Sequence, residues 1–176
     1  MDTLELTARR GLFALLLPAL SATLATAQIN EAAPVLSRDT ILINAPAERV
    51  WTALSDILGW PSRYDFITLA KAPAQLKPQQ RFHWHTTKLH LTSTLLVVKP
   101  PQELGWKGRK YGVLVFHHWR LLPAPTGGTL VVTEESQQGL PVRFMKDMFR
   151  QRLKEGAQRW LTQLKTYCEK PVTAQR

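Results

Sequence analysis

From Asp39 onward, short runs of β-patterned residues alternate with turn chemistry, and the chain closes on one long run at helical spacing. The β-branched and apolar stretch Asp39 to Asn44 (DTILIN) predicts a first strand. Pro46 then suits the opening turn of a helix, where a missing N–H does no harm. That helix is expected over Ala47 to Asp56, with Val50, Trp51 and Leu54 on one apolar face. Gly59 and Pro61 interrupt it, and a second helical turn is expected over Trp60 to Tyr64.

A series of strands follows. Ile67 to Ala72 ends at Pro73, and Arg81 to Thr86 pairs with Leu89 to Val98 around a Thr87-Lys88 turn. Pro100-Pro101 stops that hairpin, because proline cannot continue a central ladder. Leu104 to Lys107 predicts a short strand, Gly112 to Leu122 a long one, and Thr129 to Gln137 the last, after a loop rich in proline and glycine. From Pro141 to Glu169, Met145, Met148, Phe149, Leu153, Ala157, Trp160, Leu161 and Leu164 recur at helical spacing, predicting a single long amphipathic helix. Its remaining positions are largely basic: Arg143, Lys146, Arg150, Lys154, Arg159 and Lys165. Strands in a run followed by one terminal helix define an α+β fold, with the helix covering one face of an antiparallel sheet.

The residues before this pattern read as an address. Arg9 and Arg10 precede an apolar run from Gly11 to Leu24, broken by Pro18, and Ala25-Thr26-Ala27 forms an A-x-A cleavage pattern. The run is short for a membrane span. Residues 1–27 are therefore expected to be a signal peptide, placing the mature chain in the periplasm or outside the cell. The arginine pair permits twin-arginine export, with the general secretory route as its alternative. The organisation expected is signal peptide 1–27, tether 28–36, one domain 37–170 and tail 171–176.

With 176 residues, the chain has room for one domain with a substantial core. Its net charge of +10 favours anionic partners. The removed segment holds two arginines against Asp2 and Glu5, so processing leaves that charge intact. Cys168 is the lone cysteine, which excludes an internal disulfide and a cysteine-based zinc site. Its spacing from Trp160, Leu161 and Leu164 places it in the core.

INAPAERVWTALSD resembles the opening strand and helix of START-like (SRPBCC) proteins. FHWHTT, LTSTLLVVKPPQELGWKG, GVLVFHHWRLLP and GGTLVVTEES are similar to the polyketide-cyclase and lipid-transport group of that superfamily, over about Asp39 to Glu169. The resemblance implies a helix-grip fold, in which a curved antiparallel sheet wraps the long last helix and leaves a void beneath it. It implies a ligand class no finer than that superfamily, which includes carriers, cyclases and quinone binders.

Strand alternation divides the sheet into two faces. Around the Thr87-Lys88 turn, Trp84 should oppose Leu91 and Phe82 should oppose Ser93 on the inner face. Val115, His117, Trp119 and Leu121 then share that face with Val131, Thr133 and Glu135, and Trp106 joins from the short strand. Residues expected to line a ligand site are Phe82, Trp84, Leu91, Ser93, Trp106, Val115, His117, Trp119, Thr133, Glu135 and Met148. A mostly apolar, aromatic wall with a few polar groups suits a planar or polyene ligand.

His117 and Glu135 are the candidate catalytic pair, as acid and base in an aldol-type cyclisation or dehydration. The reading favoured over catalysis is a buried hydrogen-bonded couple without chemistry, as natural cores routinely hold. Glu134 must face the other way. His83, His85 and His90 cluster on the outer face without a carboxylate or thiolate, so no metal site is expected, and no cofactor is implied. The basic residues Lys107, Arg109 and Lys110, with the basic helix face, suit peripheral contact with an anionic membrane. No nucleic-acid motif accompanies the charge. The expected protein is thus a monomeric or dimeric carrier for an apolar small molecule or lipid. The alternative is a cyclase or dehydratase.

Overall fold

The computed structural model describes residues 29–125 and 127–171. The expected signal peptide, residues 1–27, lies outside them, as do residues 172–176 of the expected tail. The strands are β1 (Val35–Ile43), β2 (Ile67–Lys71), β3 (Arg81–Thr86), β4 (His90–Lys99), β5 (Glu103–Lys110), β6 (Val113–Pro123) and β7 (Thr129–Gln138). All pair antiparallel in one sheet of order β1-β7-β6-β5-β4-β3-β2. Three short helical elements follow β1: α1 (Ala47–Ser55), a 3-10 turn (Ile57–Gly59) and α2 (Trp60–Arg63). Two helices follow β7: α3 (Leu140–Phe144) and α4 (Lys146–Cys168). The sheet curves around α4, as the helix-grip expectation requires.

Helix α1 is opened by Pro46 and buries Val50, Ala53 and Leu54, while Trp51 is half-buried. Its end is closed by side chains. The Asp56 carboxylate accepts from the Gly59 N–H at 3.2 Å, and Arg63 Nη1 donates to the carbonyls of Ala53 and Asp56 at 3.2 and 2.8 Å. These bonds satisfy carbonyls that a helix terminus otherwise leaves without partners. The turn they stabilise drives Trp60 into the core, where its indole N–H donates to the Leu54 carbonyl at 3.0 Å.

Three boundaries differ from the sequence expectation by more than one residue. β1 starts at Val35 rather than Asp39, taking in the last residues of the expected tether. Val35 is buried against Val142 and Leu153, and the Asn30 N–H donates to Ser136 Oγ at 3.1 Å. The polar residues Ser37 and Arg38 hide this start, because β1 is an edge strand with one solvated side. β5 is twice its expected length, since pairing on both flanks outweighs the weak strand preference of its glycines. A Cβ on Gly108 would sit 3.2 Å from Ser93 Oγ and 3.3 Å from the Thr92 carbonyl, so glycine permits the close approach of β4.

The third difference is a correction. The expected helix from Pro141 to Glu169 is two helices, broken at Met145, whose backbone lies at φ −121° and ψ 40°. Val142 anchors α3 over the end of β6 and β7, while α4 must run across the sheet in another direction. Met145, assigned to the apolar face, is instead 45% exposed at the corner.

A shift in the β4–β5 register between Leu95 and Val97 inverts the alternation there. Leu95 and Val98 consequently both pack in the main core, although a regular strand would place them on opposite faces. That core gathers Trp60, Tyr64, Phe82, Trp106, Trp119 and Trp160 between sheet and helices.

Candidate functional site

A cavity of about 560 Å³ lies between the inner sheet face and the first half of α4. Its apolar wall is built by Trp84 and Leu91 of β3 and β4, Trp106 of β5, Val115 of β6, and Met148, Phe149 and Trp160 of α4. Trp84 is fixed by donating its indole N–H to Ser93 Oγ at 3.1 Å. Trp160 packs edge-on against Trp60 with ring centroids 5.2 Å apart, and against Tyr64 at 4.4 Å. These contacts anchor the aromatic floor. A recess of about 250 Å³ extends from the cavity past Thr133 toward Ser37 and Asp39. Gly156 and Ala157 line it, and a Cβ placed on Gly156 would meet nothing within 4 Å. Small residues at this point on α4 keep the space open.

Polar groups in the cavity lining come from His117, Glu135, Gln137 and Arg152, and also from Thr86, Ser93, Arg109 and Lys110. The β6–β7 register places His117 opposite Glu135, with Nδ1 3.2 Å from Glu135 Oε2. His117 Nε2 lies 2.9 Å from Thr133 Oγ1, and Gln137 Nε2 donates to Glu135 Oε1 at 2.7 Å. The imidazole also stacks on Trp119, 5.2 Å between centroids. Burial pulls the His117 pKa down to about 3, and burial pushes the Glu135 carboxyl up to about 7 despite the Gln137 hydrogen bond. Both ring nitrogens of His117 thus have partners inside the wall. Glu135 keeps 17% of its side chain accessible and borders the cavity, so it is the titratable group of the pair that a ligand meets.

Of the residues expected to line a ligand site, the structure brings Trp84, Leu91, Ser93, Trp106, Val115, His117, Glu135 and Met148 around the cavity, and Thr133 around its recess. Phe82 and Trp119 share the inner face but are fully buried and line neither space. The difference is one of depth: they lie under α2 and the second half of α4, against Trp60 and Trp160, where the sheet is packed shut. Sequence reasoning missed Phe149, Arg152, Gln137 and Trp160. The first two and Trp160 sit on α4, whose apolar positions look alike until the helix is set on the sheet. Gln137 shares strand parity with Glu135 and was discernible on that ground.

The outer face holds the remaining histidines. His85 and His90 stack with centroids 3.9 Å apart, and His83 Nδ1 lies 2.9 Å from Thr92 Oγ1. Among the described residues, no group of three or more His, Cys, Asp or Glu side chains is arranged to hold a metal ion. His118 points opposite to His117 and lies 3.3 Å from Glu103 and 3.8 Å from Glu134.

A model of the polyketide cyclase / dehydrase and lipid transport family matches residues 35–169. The chain belongs to that family. Among solved structures, a hypothetical protein from Helicobacter pylori is similar at 20% identity, over 92% of this chain and 100% of that one, with a TM-score of 0.70. A START superfamily protein from Mycobacterium smegmatis shares 14% identity over 76% of this chain and 97% of its own, with a TM-score of 0.66. The Zhui aromatase/cyclase of a Streptomyces species shares 16% over 79% and 96%, also at 0.66. No protein of curated function matches the sequence. At these identities the likeness to the solved structures is one of fold.

Proposed function

We propose that the protein is an exported carrier, binding one mostly apolar small molecule or lipid in the cavity under α4. The observation that carries this reading is an open space of about 560 Å³ walled by three tryptophans, with a few polar groups in its lining. That volume matches small-ligand sites in general. Indole faces provide large contact areas at low entropic cost, and Glu135, Gln137 and Arg152 give a polar end of the ligand something to meet. The engagement of both His117 nitrogens within the wall supports carriage over proton transfer by that imidazole.

Titration with cis-parinaric acid, followed by tryptophan quenching, tests the reading. Saturable binding at one probe per chain, weakened about tenfold or more by Trp84→Ala, is expected. A linear, unsaturable response would overturn it. Native mass spectrometry of protein purified from its own cell identifies the natural ligand. Export predicts that the mature protein begins at Gln28 and is recovered outside the cytoplasm.

A second reading rests on Glu135. A carboxyl held near 7 and open to an apolar cavity is suited to donate a proton to a departing hydroxyl, or to accept one from a carbon beside a carbonyl. In this reading Glu135 is the acid–base residue and His117 positions it. Loss of turnover with retained probe binding in Glu135→Gln would favour this enzyme over the carrier.

A further inference from the structure

The strand pairings bring the β3–β4 and β5–β6 turns, the start of β1 and helix α3 to one end of the sheet. The cavity reaches solvent there, since the exposed residues Leu89, Tyr111 and Met145 are part of its lining. Around this mouth large apolar side chains project into water. Phe144 is 84% exposed, Tyr111 76% and Leu140 66%, the three highest values for large hydrophobic residues among those described. They are not needed to hold α3, which is already anchored by buried Val142.

Two stretches at this end carry charge of one sign. From Arg109 to Val113 and from Gln138 to Lys146 the chain carries Arg109, Lys110, Arg143 and Lys146 and no carboxylate. The next residue, Asp147, is paired with Arg150 at 2.7 Å. Farther along α4, Arg159 is paired with Asp65 at 2.9 Å and Lys165 with Glu169 at 2.7 Å, while Arg152 and Lys154 carry no ion pair among the described residues. Arg109, Lys110, Arg143 and Lys146 have no ion-pair partner among the described residues, and they sit where the apolar side chains protrude.

We propose that this end of the molecule is a docking surface for an anionic lipid bilayer, with the cavity mouth facing the lipid. Projecting rings and aliphatic chains enter the boundary between headgroups and acyl chains, and the surrounding cations meet lipid phosphates. Protruding side chains suit a fluid surface that closes around them. The proposal does not depend on which ligand the cavity holds.

Flotation of the full chain with vesicles of phosphatidylcholine, with and without phosphatidylglycerol, tests it. All variants keep the same N-terminus, so differences between them report on this end of the fold alone. Wild type is expected to bind the anionic vesicles more tightly than the neutral ones, and added salt weakens the difference. The double variant Leu140→Ser/Phe144→Ser should lose about tenfold in affinity, and Lys110→Ala and Arg143→Ala about fivefold each at low salt. Leu58→Ser, at an exposed leucine of the 3-10 turn, serves as control and should change nothing.

Unchanged vesicle binding in the Leu140, Phe144, Lys110 and Arg143 variants would overturn the proposal, as would an equal loss in Leu58→Ser. Concentration-dependent dimerisation abolished by Phe144→Ser would also overturn it, by assigning the surface to a second copy of the chain. Circular dichroism of every variant, with unchanged parinaric acid binding in the Leu140/Phe144 and Arg143 variants, establishes that they fold. That readout also separates failure of docking from failure of the ligand reading.

Discussion

Glu135 Oε2 lies 3.2 Å from His117 Nδ1 across paired strands β6 and β7, and burial drives both groups toward their neutral forms. The two contributions to stability oppose each other. The Glu135 pKa rises from 4.5 to about 7 on folding, so its contribution is full below 4.5 and is lost as pH rises through 7. The His117 pKa falls from 6.5 to about 3, so its contribution is full above 6.5 and is lost as pH falls toward 3. Between 4.5 and 6.5 the slopes cancel, each on the order of 1 kcal/mol per pH unit. Glu135→Gln removes one of them. Urea melts of the variant should then show stability climbing steadily toward pH 6.5, with no decline above it. A variant profile parallel to wild type would refute the assignment.

Gly156→Ala is expected to stabilise the protein by about 0.5–1 kcal/mol. The position is inside α4, where glycine costs backbone entropy, and the added methyl meets open space in the recess. Chemical denaturation gives the value directly. A destabilised variant would mean that the recess closes in solution.

Gly139→Ala should have the opposite effect. Gly139 lies at φ +134°, and a Cβ there would stand 2.1 Å from the Gly112 carbonyl oxygen. Left-handed strain and collision with backbone together should cost more than about 2 kcal/mol. The same melts measure it, and the loss should extend to α3, whose entry this residue turns.

Cys168 is buried at the end of α4, and burial pushes its thiol up to about 11. Native protein at neutral pH should therefore react with a thiol reagent such as Ellman's only as fast as it unfolds locally. Rapid labelling of one thiol per native chain would contradict this placement.

Much of the fold was legible because its signals are local. Pro46, Gly59 and Pro61 punctuate the early helices, and the Thr87-Lys88 turn fixes the β3–β4 register, so Trp84 opposes Leu91 and Phe82 opposes Ser93 as parity requires. The same parity put His117, Trp119, Thr133 and Glu135 on one face, and the β6–β7 register pairs His117 with Glu135 and Trp119 with Thr133. A period of two is robust wherever one face of a sheet is buried, since a slip of one residue would turn the apolar set outward. The β4–β5 irregularity escaped this reasoning, because a bulge changes parity without changing composition.

By itself, then, the sequence determined the α+β class, the order of the elements and which strand residues share the inner face, all of which follow from spacing along a single element. Only the tertiary structure decided where that face is open and where it is packed shut. Phe82 and Trp119 are as inward as Trp84 and Trp106, yet only the latter two border the cavity. The difference lies in which part of α4 crosses above them, with Gly156 and Ala157 beside the void and Leu161 and Leu164 filling the core. The break at Met145, the place of Trp160 and Arg152 around the cavity, and the gathering of Tyr111, Leu140 and Phe144 at one end likewise depend on contacts between elements distant in the chain. No local period encodes those contacts.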